Sequence, residues 1–152
     1  MSTPTPPPGN LHLVVGYDGS PPAIRALDAA IRLLSGRTGR VEVVYVGHLS
    51  STVMLSPGAV AEMESEFGDV ARDLRAEVDE KLRDQPQPWD FQMRQGLIAD
   101  ELIAAAESIR DAHPEESVVI VVGSSSHATH RMVGSVAVSL ARHSPVPLVV
   151  VP

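Results

Sequence analysis

Short apolar runs alternate with longer amphipathic segments along most of this chain. The runs are rich in valine and stop at glycine or at a polar turn, which is typical of strands buried on both faces of a sheet. The run around Phe91 is more polar than the others, as an edge position would permit. Five strands are predicted in all, at Leu11–Gly16, Val41–Val46, Phe91–Arg94, Ser117–Val122 and Leu148–Val151.

Between these runs, apolar residues recur at spacings of three and four, which indicates helices with one buried face. The longest such stripe predicts that the whole second helix packs on the core through Val60, Met63, Phe67, Val70, Leu74, Val78 and Leu82. Four helices are predicted, from Ser20 to Gly36, from about Gly58 to Asp84, from about Leu102 until before Pro114, and from Gly134 to about His143.

The strict alternation of strands and helices predicts the α/β class, with a five-stranded parallel sheet and helices on both faces. Right-handed crossovers leave few topologies for such a chain. The length of 152 residues corresponds to one domain. We assign that domain to residues 10–152, and we expect the Pro-rich residues 1–9 to form a disordered arm.

Composition excludes several classes of function. The formal net charge is -7 and Lys81 is the only lysine, so the chain is a poor candidate for binding nucleic acid. The chain has no cysteine, which rules out disulfides, thiolate catalysis and cysteine-based metal sites. No run is long enough to suggest a membrane span and no signal peptide is evident, so we expect a cytoplasmic protein without a membrane partner.

Ligands of open parallel sheets bind beyond the carboxyl ends of the strands. Two loops leave such ends here, one from Gly16 to Ser20 and one from Gly123 to Ser135. Asp18 could accept a hydrogen bond from a ribose hydroxyl or hold Mg²⁺ through water, or it could simply cap the next helix. Gly134 and Ser135 could present helix N–H groups to a phosphate, or serve only as a turn and an N-cap.

Other chemistry lacks support. The phosphate-binding patterns G-x-x-x-x-G-K-[ST] and G-x-G-x-x-G are absent, and so is the G-x-S-x-G turn of hydrolases. His127, His130 and His143 show no helical pairing with a carboxylate, so we predict no metal site and no catalytic residue. Arg131 could contact a phosphate or lie in solvent.

The stretch VVGYDGSPPAIRALDAAIRLL resembles the opening strand, Asp-Gly-Ser turn and first helix of the universal stress protein family. The ending VVIVVGSSSHATHRMVGSVAVSLARHSPVPLVVVP resembles the tail of that family, with its Gly-Ser-Val, Pro-x-Pro and closing valine run. The resemblance covers Leu11 to Pro152. It implies a Rossmann-like sheet of order 3-2-1-4-5, and commonly a homodimer paired through the last strand, Leu148–Val151.

Many members of that family bind ATP through a motif G-x-x-G-x(9)-G-[ST]. Gly123 matches its first glycine, and Gly134 with Ser135 match its last pair. Ser126 replaces the second glycine, and only seven residues separate it from Gly134. Gly16 and Ser124 of the two loops, with Ser126 and Arg131, complete the expected site. The resemblance implies that Asp18 faces the ribose and that the backbone near Val43 and Val44 faces the adenine.

Three functions remain open at this point. The first is a stress-response protein that binds ATP or another adenine nucleotide, with or without Mg²⁺. The second, favoured by the shortened loop, is a nucleotide-independent dimeric adaptor of the same family. The third is a weak nucleotide hydrolase, limited to slow ATP hydrolysis because no activated nucleophile or general base is evident.

Overall fold

A computed structural model describes residues 10–47, 56–124 and 134–152. The predicted arm at residues 1–9 lies outside these ranges, as do segments 48–55 and 125–133. The elements, in chain order, are β1 (Leu11–Gly16), α1 (Pro21–Leu34), β2 (Gly39–Gly47), α2 (Pro57–Leu82), β3 (Trp89–Gln95), α3 (Ile98–Ala112), β4 (Ser117–Gly123), α4 (Ser135–His143) and β5 (Leu148–Val151).

The five strands form one parallel sheet in the order β3-β2-β1-β4-β5. This arrangement confirms the predicted α/β class and the 3-2-1-4-5 order. The central strand β1 pairs with β2 through Leu11↔Gly39 to Gly16↔Val44, and with β4 through Leu11↔Ser117 to Val15↔Val121. The strand order therefore reverses between β1 and β4.

Helices cover both faces of the sheet, because successive strand side chains point to opposite faces. Leu13 and Val15 of β1 pack into a cluster with α1 and α2, whereas Val14 packs into a second cluster with α3 and α4. Leu27 and Leu102 are fully buried in the first and second clusters respectively. No helix among residues 10–47, 56–124 and 134–152 is long and apolar enough to cross a membrane.

Strand β3 is longer than the run from Phe91 to Arg94 that the sequence predicts. It pairs with β2 from Val41↔Trp89 to Gly47↔Gln95. Its side chains do not alternate cleanly between buried and exposed. Trp89 and Phe91 pack against the core, but polar residues separate and follow them, so periodicity underestimates a strand whose full length is defined by its pairing with β2.

The prediction for α2 is wrong in its N-terminal half. Leu74, Val78 and Leu82 are buried, but Val60 and Val70 are 42% and 44% exposed. The reason is geometric: 26 residues at ~1.5 Å each span about 39 Å, which exceeds the ~20 Å of a six-residue strand such as β1. Much of the first half of α2 therefore extends beyond the sheet, although Phe67 stacks on Tyr45 of β2 with 5.4 Å between ring centroids, as the stripe predicts.

Two glycines offer a matched test of packing around the sheet. A Cβ at Gly39 would overlap the carbonyl oxygen of Leu11 and lie 2.7 Å from Leu34 Cδ2, whereas nothing lies within 4 Å of a Cβ at Gly68 in α2. We expect Gly39→Ala to destabilise the fold by about 1–3 kcal/mol through overpacking. Gly68→Ala should stabilise it by about 0.5–1 kcal/mol. Urea unfolding of both variants measures the difference, and equal effects would contradict the packing described.

Candidate functional site

A cleft opens beyond the carboxyl ends of β1 and β4, where the strand order reverses. Bounded by the described residues alone, its volume is about 210 Å³, below the ~300–1,000 Å³ that is typical of drug-sized ligand sites. Its lining consists of Gly16, Tyr17, Asp18, Ser20, Pro22, Ala23, Val44, Val46, Ile98, Leu102, Val122, Gly123, Gly134, Ser135, Val136 and Ala137.

The turn after β1 fixes Asp18 at the edge of the cleft. Asp18 Oδ1 accepts a hydrogen bond from the Ser20 N–H at 2.9 Å, and the Ser20 hydroxyl accepts one from the Ala23 N–H at 3.4 Å. Ser20 is thus the N-cap of α1. Gly19 takes a φ of +79°, which a glycine adopts without strain. Asp18 remains exposed, and its carboxylate retains acceptor capacity for a ligand hydroxyl.

Tyr17 anchors this turn to the sheet and to α2. Its backbone N–H donates to the Val44 carbonyl at 2.9 Å, and its hydroxyl donates to Glu77 Oε2 at 3.5 Å. The side chain is only 4% exposed. Burial, followed by the charge of Glu77 and the hydrogen bond to it, raises the pKa of Tyr17 above its ordinary value.

Two glycines permit close packing at the base of the cleft, Gly123 against backbone and Gly16 against a side chain. A Cβ at Gly123 would overlap the carbonyl of Pro22, so the first turn of α1 rests directly on the end of β4. A Cβ at Gly16 would lie 3.1 Å from Leu102 Cδ1. The Ser124 N–H donates to the Val151 carbonyl at 2.8 Å and continues the pairing with β5.

The N-terminus of α4 faces the cleft without a side-chain cap. Gly134 is the N-cap residue, and the first helical hydrogen bond runs from the Val138 N–H to the Gly134 carbonyl at 3.1 Å. The N–H groups of Ser135, Val136 and Ala137 precede that bond and have no intrahelical acceptor. Within residues 10–47, 56–124 and 134–152, three donors and the positive end of the helix dipole are therefore available to an anion.

One wall of the cleft is apolar, and most of it packs in the same core cluster as Ala137 of α4. Val44 and Val46 of β2, Ile98 and Leu102 of α3, and Val122 of β4 form it. Sequence reasoning missed all of these except Val44, because their apolar character predicts ordinary core. Two signals could have identified them as site residues. The valines stand near the ends of their strands, and Ile98 and Leu102 are four residues apart at the start of α3.

The structure brings most of the predicted site residues together. Gly16, Asp18, Val44, Gly123, Gly134 and Ser135 line the cleft, and Ser124 follows Gly123 directly. The side chain of Val43 instead lies in the core cluster on the α1 and α2 side of the sheet. Ser126 and Arg131 belong to segment 125–133, outside the described residues.

A sequence model of the Universal stress protein family matches residues 10–152, nearly the whole chain. The chain belongs to the universal stress protein family. No curated protein matches its sequence.

Solved universal stress proteins share the fold at low sequence identity. UspA from Lactobacillus plantarum superposes with a TM-score of 0.73 at 18% identity, covering 95% of this chain and 99% of that one. A universal stress protein in complex with cAMP gives a TM-score of 0.64 at 19% identity, covering 95% and 98%. One from Arabidopsis thaliana with AMP bound gives 0.64 at 13% identity, covering 93% and 90%.

The buried phenol of Tyr17 predicts a specific alkaline instability. Because its pKa is raised in the folded state, the fold holds this proton more tightly than the unfolded chain does. The resulting stabilisation is complete below about pH 10 and is lost as the pH rises through the folded-state pKa. We expect Tyr17→Phe to make the decline in stability above about pH 10 shallower, as measured by urea unfolding across that range. An unchanged decline would contradict this role.

Proposed function

We propose that this universal stress protein binds an adenine nucleotide in the cleft and acts in a stress response by sensing it. The proposal rests on one observation. The N-terminus of α4, which has no side-chain cap among the described residues, lines the same cleft as an apolar wall at the ends of β1 and β4. This pairing of a flat apolar surface with anion-binding N–H groups suits a base joined to a phosphate.

Each part of the nucleotide has a fitting partner. The wall around Val46 and Leu102 suits the adenine ring, with the Val44 backbone nearby, although the Val44 carbonyl already accepts the Tyr17 N–H. The Asp18 carboxylate suits the ribose hydroxyls. The α4 N–H groups from Ser135 onward suit a phosphate, and Gly123 permits close backbone approach.

Relatives with the same fold support this choice of ligand. One solved universal stress protein is in complex with cAMP, and another has AMP bound. The proposal includes Mg²⁺ as the companion of a bound polyphosphate, and Asp18 is the carboxylate among the described lining residues. We do not propose dedicated catalysis, and slow hydrolysis of a bound nucleotide would depend on Asp18.

Ser135 offers a substitution that separates binding from folding. An aspartate at the first position of α4 should leave helix stability unchanged or raise it by about 0.3–1 kcal/mol, because the N-terminal dipole favours a negative charge. The same charge would repel a phosphate. We therefore expect Ser135→Asp to weaken nucleotide binding at least tenfold without lowering the melting temperature. Calorimetric titration with ATP, AMP and cAMP, with and without Mg²⁺, measures this.

The matched control is Ser139→Asp, which places the same charge one turn along α4 and away from the cleft lining. It should leave the affinity within about twofold of the wild-type value, since Ser139 is half-buried and still reached by solvent, and a charge farther from the ligand is partly screened there. Equal weakening by both variants would indicate a general charge effect. Absence of saturable heat with every nucleotide would refute the proposed function and favour the nucleotide-independent adaptor.

We also propose that two copies pair through β5. Leu148–Val151 is an apolar edge strand, and in the part of the chain that the structure describes β4 is its one neighbour in the sheet. The Pro147 and Val151 carbonyls accept hydrogen bonds from the N–H groups of Ile120 in β4 and of Ser124 directly after it. By the alternation of a parallel ladder, the backbone N–H and C=O of Val150 point to the open edge. An open apolar edge of this kind favours pairing with another strand.

Proline at Val150 should therefore disrupt dimers without breaking the pairing with β4, because it removes only an outward N–H. Its matched control is Met93→Pro on β3, the edge strand at the other side of the sheet. The Val41 N–H donates to the Pro88 carbonyl and the Gly96 N–H donates to the Gly47 carbonyl. By the alternation of a parallel ladder, the Met93 N–H therefore also points away from the sheet. Sedimentation should show monomers for Val150→Pro and dimers for the wild type and Met93→Pro. Dimers that persist in Val150→Pro would exclude this interface.

A further inference from the structure

Strand β3 is an edge strand with little of the protection that such strands usually carry. It pairs with β2 in continuous register over its whole length, from Val41↔Trp89 to Gly47↔Gln95, without a bulge. It contains no proline and no lysine, two residues that commonly keep an edge from pairing with another chain. A regular strand of this kind can accept a further strand along its outer side.

Part of this outer side is already closed by side chains. The alternation that turns the Met93 N–H outward does the same for Phe91 and Gln95. The Phe91 N–H donates to Asp90 Oδ1 at 2.7 Å, and Arg75 Nη2 of α2 lies 3.9 Å from the same oxygen. Within the described ranges, the N–H groups that remain open on this edge are therefore those of Met93 and Gln95.

A partly apolar groove between α2 and β3 lies beside these two open positions. Its lining consists of Glu64, Phe67, Met93, Arg94 and Gln95. The Phe67 ring stacks on Tyr45, and Tyr45 is the register partner of Met93, so Phe67 and Met93 lie on the same face of the sheet. Met93 is 55% exposed although it is apolar. A strand added to this edge would direct every second side chain into the groove.

The helical wall of the groove is acidic. Residues 57–71 of α2 contain four carboxylates and no lysine or arginine. Glu64 lines the groove itself and is exposed. Arg94, the basic residue of the lining, is neutralised by Glu101, whose Oε2 lies 2.7 Å from the Arg94 Nε. The groove therefore favours a segment that combines apolar with basic side chains.

The same charge disfavours a second copy of this chain at this edge. Two copies paired through β3 would place the acidic halves of two α2 helices beside one joined sheet, where like charges repel. Strand β5 contains no charged residue and lacks this obstacle. The edge of β3 therefore fits a different protein.

We propose that the edge of β3 at Met93 and Gln95 binds an extended segment of a partner protein, which presents apolar side chains flanked by lysine or arginine on one face. The segment adds a sixth strand to the five-stranded sheet. Its backbone bonds to the outward N–H and C=O groups, its apolar side chains pack on Phe67 and Met93, and a basic side chain reaches Glu64. This surface is separate from the cleft and does not depend on nucleotide binding.

Titration with a capped peptide of sequence Lys-Thr-Val-Thr-Val-Thr-Lys tests this proposal. When extended, the peptide carries valine and lysine on one face and threonine on the other. We expect saturable binding by calorimetry, and at least tenfold weaker binding of the matched peptide with glutamate in place of lysine. Amide hydrogen exchange should slow at Met93 and Gln95 and change little at Arg94, whose N–H already bonds to β2.

Glu64→Lys reverses the charge at the groove and should weaken binding of the lysine peptide at least tenfold. Its matched control is Glu80→Lys, the same change at another exposed residue of α2. Glu80 lies about 24 Å farther along the helix, beyond the screening length of ~10 Å at 0.1 M salt. The control should therefore keep the affinity within about twofold of the wild-type value. Both residues are exposed, so both variants should fold normally, which circular dichroism checks.

Met93→Pro removes an outward N–H and should also weaken peptide binding at least tenfold, whereas Val150→Pro at the other edge should not. Glu64→Lys decides the question if Met93→Pro fails to fold. The proposal is overturned if the wild type shows no saturable binding of the lysine peptide, or if Glu64→Lys and Glu80→Lys bind it equally. It is also overturned if folded Met93→Pro binds as tightly as the wild type. Slower exchange at Met93 and Gln95 on concentrating the protein without peptide would identify a second copy as the occupant and overturn it too.

Discussion

The pairing of β1 with β4 is the contact on which the rest of the structure depends. β1 is the central strand, and its other neighbour, β2, lies on the opposite side. Both β1 and β4 are buried by helices on two faces, so their hydrogen bonds form in a water-free interior. Because the chain leaves these neighbouring strands toward helices on opposite faces, the loops diverge and a cleft opens between them.

That cleft is built mostly from backbone. Glycines at 16 and 123 remove side chains where Leu102 and the Pro22 carbonyl come close. The N–H groups of α4 then provide its positive character, and no lysine or arginine lines it among the described residues. This explains how an acidic chain with a single lysine can offer a site for an anion. Such a site selects a ligand by where its anionic group lies relative to these N–H groups, more than by the charge of side chains.

Paired polar side chains cross the α3 side of the sheet. His12 and Glu42 are the polar side chains buried in the described core, and Gln92 of β3 donates to Glu42 at 2.6 Å. These residues stand on three adjacent strands, and His12 Nδ1 lies 3.1 Å from Oε2 of Glu116, which precedes β4. This side of the sheet therefore carries polar contacts from strand to strand within an otherwise apolar core.

The sequence by itself determined the class, the element order and the family, because valine runs, helical spacing and the Gly-Tyr-Asp-Gly-Ser turn are local signals. It also indicated most polar residues of the cleft, since glycine and serine after a strand mark close approach and N–H donors. Tertiary structure alone decided the apolar wall, the exposure of Val60 and Val70, and the meeting of His12 with Glu116. Each of these depends on which residues distant in sequence pack together and on how far a helix outreaches its sheet, and neither property is encoded in a local pattern.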